Sequence, residues 1–295
     1  AWKTFSSRRK WMASQFCQPI YEMVITEAIA RGYLEAPGFF SDPFVRAAYL
    51  GAEWIGPPRG QIDQLKEINA SVGVAILMEV KTGEVKAIVN MTKGNDGIYR
   101  EVKNNAVSDM MEPGSTFKTA SIMVALEDGY ITPDQLVDTK NGVYMMHGRP
   151  MKDHNWHRGG YGVIDITKVL MVSSNIGVSR VIDENYQHQP EKYVEGLYKL
   201  GIATPLELDI PGAAKKPYIR KPTKENWYKT ALPWMSIGYE TQVPPMNTLA
   251  FYNAIANDGK MMKPYVVESI ENNGKVKKQF KKYKKEVNYK LSFFE

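Results

Sequence analysis

The sequence predicts an α+β fold: an antiparallel hairpin followed by a succession of helices, behind a mostly helical N-terminal appendage. Three observations carry this. Residues 72–80 form a nearly unbroken apolar run and residues 84–90 alternate, with a short glycine-containing turn between them. Beyond residue 114, apolar residues recur at helical spacing in several separate stretches. Residues 8–32 also have helical periodicity, but a loop-rich stretch separates them from the rest of the chain.

In the appendage, Trp11, Met12, Phe16, Ile20, Met23, Val24 and Ile29 mark one helix and Gly32 stops it. Residues 33–62 are punctuated by Pro37, Gly38, Pro43, Gly56, Pro57, Pro58 and Gly60. From Val72 the texture changes. Val72 to Val80 reads as a strand buried on both faces. Lys81-Thr82-Gly83 is the turn, with Gly83 placed for a positive φ, and Glu84 to Asn90 is the return strand. Helices are expected at 115–128, 165–172, 175–186, 191–200 and 246–257.

Composition narrows the function. The 295 residues carry a net charge of +6, but residues 275–285 hold seven lysines and no acid. Without those lysines the balance is −1, so the basic character belongs to a solvated tail and not to a nucleic-acid groove. No run of 18 apolar residues marks a membrane span. Cys17 is the single cysteine and reads as a small buried hydrophobe. His154 and His157 stand three apart in a glycine-rich loop without a partner cluster, so neither a metal nor another cofactor is expected.

The chemistry concentrates in two short segments. Glu112-Pro113-Gly114-Ser115-Thr116-Phe117-Lys118 opens a helix, with Ser115 at or near its first position. Backbone N–H groups there favour negative charge, and the three-residue spacing sets the Lys118 amine on the face of the Ser115 hydroxyl. A serine needs a neighbour to take its proton, and a lysine does so only when desolvation or a nearby cation lowers its pKa. Taken alone, Ser-x-x-Lys is better read as a helix-opening serine with an exposed lysine; Ser7 and Lys10 match the same spacing in a polar stretch. Ser173-Ser174-Asn175 lies between two apolar helical runs. There Ser173 is placed to relay a proton, and Asn175 to bind a substrate amide through its donor and acceptor. The competing reading is a simple helix cap.

EPGSTFK at 112–118 and VSSN at 172–175 together resemble the penicillin-binding proteins and serine β-lactamases. VGVAILMEVKTGEVKAIVN at 72–90, GIATPLELDIPG at 201–212 and WMSIGYETQVPPMNTLAFYNAIANDGKMMKPYVV at 234–267 narrow the resemblance to class B transpeptidases. It spans residues 71–270 and implies an incomplete α+β transpeptidase domain. Ser115 would be the nucleophile, Lys118 its base, Ser173 a proton relay and Asn175 a substrate ligand. The implied reaction opens a D-Ala-D-Ala amide of a peptidoglycan stem peptide and passes the acyl group to a neighbouring stem; β-lactams would acylate the same serine. The resemblance also implies cell-wall synthesis partners and the periplasmic face of the bacterial inner membrane.

The family's third motif, Lys-Thr/Ser-Gly, does not occur after Asn175 in these 295 residues. Lys81-Thr82-Gly83 has its letters but precedes the nucleophile and reads as a hairpin turn. This polypeptide alone is therefore expected to be poorly active or inactive. Two alternatives remain open: a serine hydrolase of β-lactamase or carboxypeptidase type, and an inactive β-lactam-binding module. Residues 15–40 and 52–70 resemble a piece of lambda-like phage portal proteins, from which no functional residue is carried over; a phage structural fragment is the reading they support. The expected organisation is a portal-like segment at 1–70, a partial transpeptidase domain at 71–270 and a poorly ordered lysine-rich tail at 271–295, with the join at 66–72.

Overall fold

A computed structural model describes residues 65–206, 208, 210, 212, 217–267, 269–272 and 275–279. The expected helix at 8–32, Cys17, Ser7 and Lys10 lie outside the described residues, as does nearly all of the portal-like segment. The chain divides into two units, and the first is discontinuous in sequence. It comprises the described residues up to Asp109, those from Pro205 to Gly212, and those from Pro244 onward. The second comprises Met110–Thr204 and the described residues through Val243.

In the first unit, β1 (Val72–Met78) and β2 (Val85–Lys93) form the expected antiparallel hairpin, and β3 (Tyr99–Arg100) adds to β2. Gly83 has φ +77° and donates its N–H to the Glu79 carbonyl at 2.9 Å, which closes the turn. Val74, Ile76 and Ile88 share one sheet face. With Val85 they pack on Ala106 and Val107 of α1 (Asn105–Ser108) and on Met246. Met246 belongs to the helix Pro245–Ala256, which completes this layer. The other face is less covered. Leu65, Met91 and Tyr99 cluster at one end, while Ala75 is exposed and Leu77 half-buried. The expectation of a strand buried on both faces is thus corrected: an apolar run records side-chain chemistry, not the number of layers packed on it. The Tyr99 hydroxyl donates to the carbonyls of Leu65 and Ala70 at 3.0 and 2.6 Å, so residues 65–70 are tied to the sheet.

Within the lysine-rich tail, Ser269–Asn272 and Lys275–Gln279 pair as an antiparallel hairpin, while residues 280–295 lie outside the described residues.

The second unit is built around α2 (Lys118–Glu127), preceded by a 3₁₀ turn over Gly114–Phe117. Eight of its ten residues are Thr, Ser or apolar, and Lys118 to Leu126 are all buried, as expected for a helix surrounded by others. Asp165 caps α3 (Ile166–Met171) by accepting from the Lys168 N–H at 2.6 Å. Next come α4 (Asn175–Tyr186) and α5 (Pro190–Lys199), the latter started by Pro190. A further helix, α6 (Ala231–Ser236), has no strong periodicity and is not expected from sequence; it packs on α4. Short pairs complete the unit: β4 (Leu136–Asp138) with β7 (Val163–Asp165), β5 (Val143–Met146) with β6 (Arg149–Lys152), and β8 (Tyr218–Ile219) with β9 (Thr241–Gln242). The last described helix of the chain, Pro245–Ala256, is α7.

Buried hydroxyls stitch these helices. Ser121 Oγ lies 2.7 Å from the Tyr193 hydroxyl of α5 and donates to the Ser236 carbonyl of α6 at 2.7 Å. Tyr186 donates to Asp128 Oδ2 at 2.7 Å while fully buried, and burial pushes its phenol pKa up. Tyr186→Phe is expected to cost about 1–3 kcal/mol, because Asp128 loses a donor at the end of α2. A thermal melt drop of a few degrees would register it, and an unchanged melt would show that the bond contributes nothing net.

Candidate active site

Ser115 lies in the 3₁₀ turn and is exposed, with its carbonyl accepting the Lys118 N–H. Lys118 begins α2 one turn later and is 2% exposed. The structure brings Ser173 to the same amine: Lys118 Nζ donates to Ser173 Oγ at 2.9 Å and to the Ser173 carbonyl at 2.6 Å. Burial pushes the amine pKa from 10.5 down to about 8, and the Asp153 carboxylate acts in the opposite direction. At neutral pH a useful fraction of the amine is therefore free to accept a proton.

The two readings of Ser173-Ser174-Asn175 are separated by geometry. Ser174 is the cap of α4, accepting the Gly177 N–H at 2.8 Å. Ser173 is left outside the helix in the left-handed region, at φ +53°, where a serine is held only by its surroundings. The capping reading applies to Ser174, and Ser173 is the residue turned toward Lys118. Asn175 Nδ2 donates to the Lys152 carbonyl at 2.7 Å, so one side of its amide is already engaged by β6.

Two features escaped sequence reasoning. Asp153, directly after β6, is 1% exposed; its carboxylate accepts from Ser174 Oγ at 2.8 Å and from the Ile176 N–H at 3.0 Å. In sequence it is one acid in a polar loop, and only its company of Lys152, Asn155 and Trp156 ahead of Ser173 hinted at a structured turn. The second feature is the wrapping of residues 238–243 around 111–114. Gly114 N–H donates to the Gly238 carbonyl at 3.2 Å, Glu240 N–H to the Glu112 carboxylate at 3.1 Å, and Val243 N–H to the Met111 carbonyl at 2.9 Å. Gly238 has φ +92°, and a Cβ there would overlap the Gly114 carbonyl oxygen and lie 2.6 Å from its carbonyl carbon. Glu240, itself left-handed, is held by Arg220 at 2.7 Å and by Tyr228.

Lys81-Thr82-Gly83 is the β1–β2 turn, where the Thr82 hydroxyl donates to the Glu79 carboxylate. His154 sits against the Tyr161 ring in the loop after β6, and His157 is exposed beside Trp156. Among the described residues no helix is long and apolar enough to cross a membrane.

The arrangement is a hydroxyl at a helix opening, a desolvated amine one turn on, and a second hydroxyl bonded to that amine. The structure joins Lys118 to Ser173 directly and places Ser115, exposed, one turn before Lys118. The chain is similar to peptidoglycan D,D-transpeptidase FtsI of Buchnera aphidicola, with 30% identity over 66% of this chain and 33% of the relative. It is also similar to that of Escherichia coli, with 28% identity over 69% of this chain and 33% of the relative. It thus spans about a third of the length of these curated relatives. Among solved structures, penicillin-binding protein 3 of Mycobacterium tuberculosis in complex with ampicillin superposes with a TM-score of 0.60 at 26% identity, over 75% of this chain and 49% of that one. The model of the penicillin-binding protein transpeptidase domain matches residues 73–292, and with the site geometry this makes the chain a member of that family, on its class B side.

Proposed function

We propose that this chain carries the acyl-transfer site of a peptidoglycan D,D-transpeptidase, with Ser115 as nucleophile. Ser115 Oγ attacks the carbonyl of the D-Ala-D-Ala amide while the neutral Lys118 amine takes its proton. The oxyanion of the tetrahedral intermediate faces the Ser115 N–H. Collapse breaks the C–N bond; the departing D-Ala amine receives a proton through Ser173, and a Ser115 ester remains. An amine of a neighbouring stem attacks that ester, loses its proton along the same path, and leaves an amide cross-link with Ser115 restored. Asn175 orients the stem-peptide amide. By family, β-lactams take the place of the stem peptide, the working location is the periplasmic face of the inner membrane, and cell-wall synthesis proteins are the partners. The observation that carries the reading is the buried Lys118 amine 2.9 Å from Ser173 Oγ and one turn from Ser115.

No Lys-Thr/Ser-Gly follows Asn175 in the 295 residues, so we propose that this polypeptide acylates slowly, by about 10²–10³ for one missing oxyanion donor. The test is incubation with a penicillin over hours, followed by peptide mass spectrometry. A ring-opened adduct on Ser115 is expected, forming about tenfold faster at pH 9 than at pH 7, because the base must be unprotonated. The half-rise should lie near 8, where burial has placed Lys118. No adduct, or one elsewhere, overturns the reading; rapid turnover of the adduct shifts it to a hydrolase.

A further inference from the structure

We propose that Asp153 is a positioning residue for the Lys118–Ser173 pair: its buried carboxylate clamps the α3–α4 junction that presents Ser173, and its negative charge acts on the Lys118 amine. The inference rests on the transpeptidase reading of this site. The geometry is a two-point grip. Asp153 Oδ2 accepts from the Ser174 hydroxyl at 2.8 Å and Oδ1 accepts from the Ile176 N–H at 3.0 Å. One residue earlier, the Lys152 carbonyl accepts from Asn175 at 2.7 Å. The end of β6 therefore holds three consecutive residues of the junction, 174 to 176. On the other side α3 holds the same turn, with the Ser173 and Ser174 N–H groups donating to the Leu170 and Val169 carbonyls at 3.1 and 2.9 Å. Ser173 sits between these two grips in its left-handed conformation, which a serine does not keep unaided.

A neutral amide at 153 could not reproduce this, since only its oxygen accepts and its nitrogen would face a donor. The carboxylate is 1% exposed, and among the described residues no ion pair holds it. Keeping a charge in such a place is costly, which points to a use for the charge itself. Burial drives the Lys118 amine down, and Asp153 opposes that drift, leaving a base still strong enough to take a serine proton. The other groups facing α2 do not supply this field. Ser115 and Ser173 are hydroxyls, and Tyr193 is bonded to Ser121. On α4, Asp183 is bonded to His147 and Glu184 to Arg180; Asp128, at the far end of α2, is bonded to Tyr186 and paired with Lys192.

The experiment uses the full chain with ¹³Cε-lysine, the Lys118 resonance being assigned by its loss in Lys118→Met. Asp153→Asn is expected to move the Lys118 midpoint below its wild-type position and to slow penicillin acylation about ten- to a hundredfold at the pH plateau. Ser174→Ala, which keeps the charge and cuts one arm of the clamp, is expected to slow acylation with the midpoint in place. Asp153→Glu should hold the midpoint closer to wild type than Asp153→Asn does. A wild-type midpoint in folded Asp153→Asn overturns the electrostatic role, which a merely structural residue would also leave unmoved. Wild-type acylation in Ser174→Ala overturns the clamp. If Asp153→Asn loses its folded spectrum, Asp153→Ser carries the same test: a wild-type Lys118 midpoint there overturns the electrostatic role, and a wild-type rate in Ser174→Ala still overturns the clamp. A wild-type protein that never acylates Ser115 sinks the functional reading instead, while the Lys118 midpoints still judge Asp153.

Discussion

Lys118→Met is expected to lower the rate of penicillin acylation at Ser115 by about 10²–10⁴, the range that a positioned general base contributes, and to abolish the rise in rate near pH 8. Methionine has nearly the shape of the lysine stem, so the core around α2 keeps its packing while the proton acceptor is lost. Stability should move the other way. The folded pKa of Lys118, about 8, lies below its ordinary 10.5, so between these values the unfolded chain binds more protons than the folded one. Wild-type stability therefore rises with pH across that window, and the full penalty of the buried cation, about 3 kcal/mol, applies below it. Lys118→Met escapes the penalty but leaves Ser173 without its partner. The net expectation is a melting temperature at pH 7 no lower than wild type, and a stability that no longer climbs between pH 8 and 10.5. Acylation at the wild-type rate in this variant would remove Lys118 from the mechanism; a collapsed melt would show that the amine is structural.

Gly238→Ala is expected to damage both fold and site. Its Cβ would overlap the Gly114 carbonyl, a backbone atom with no rotamer into which to retreat, and φ +92° is itself unfavourable for alanine. Overpacking and backbone strain together predict a loss of about 2–4 kcal/mol. The strain falls on the residue before the nucleophile, so Ser115 moves relative to the Lys118 amine. A displacement near 1 Å in such a constellation costs about 10²-fold in rate. Urea unfolding and the acylation time course would read the two effects separately. Normal acylation by a destabilised variant would mean that residues 238–243 support the unit without aiming Ser115.

How much of this was legible in sequence depended on the range of the interaction. The hairpin turn was readable because Gly83 follows a local rule, and the helix limits at 175 and 186 because periodicity and capping act within a few residues. The strand Lys275–Gln279 was missed because a lysine-rich composition suggests solvation and not pairing, and α6 because Ala231–Ser236 is too short for periodicity to show. The site obeys the same division. Ser115 and Lys118 share one turn, so their adjacency along the chain is written in three-residue spacing. Asp153 and Gly238 reach the site across 21 and 124 positions, to Ser174 and Gly114, and nothing local marks either.

The residue types and spacings by themselves determined the chemistry on offer: a hydroxyl at a helix opening, an amine one turn on, and a polar triplet between helices. Only tertiary structure decided which triplet serine caps α4 and which meets the amine. It also decided that the amine is buried and its pKa lowered. The physical reason is that desolvation depends on how many neighbours exclude water from an atom, and the groups that meet this amine, Ser173 and Asp153, are distant in the chain from Lys118.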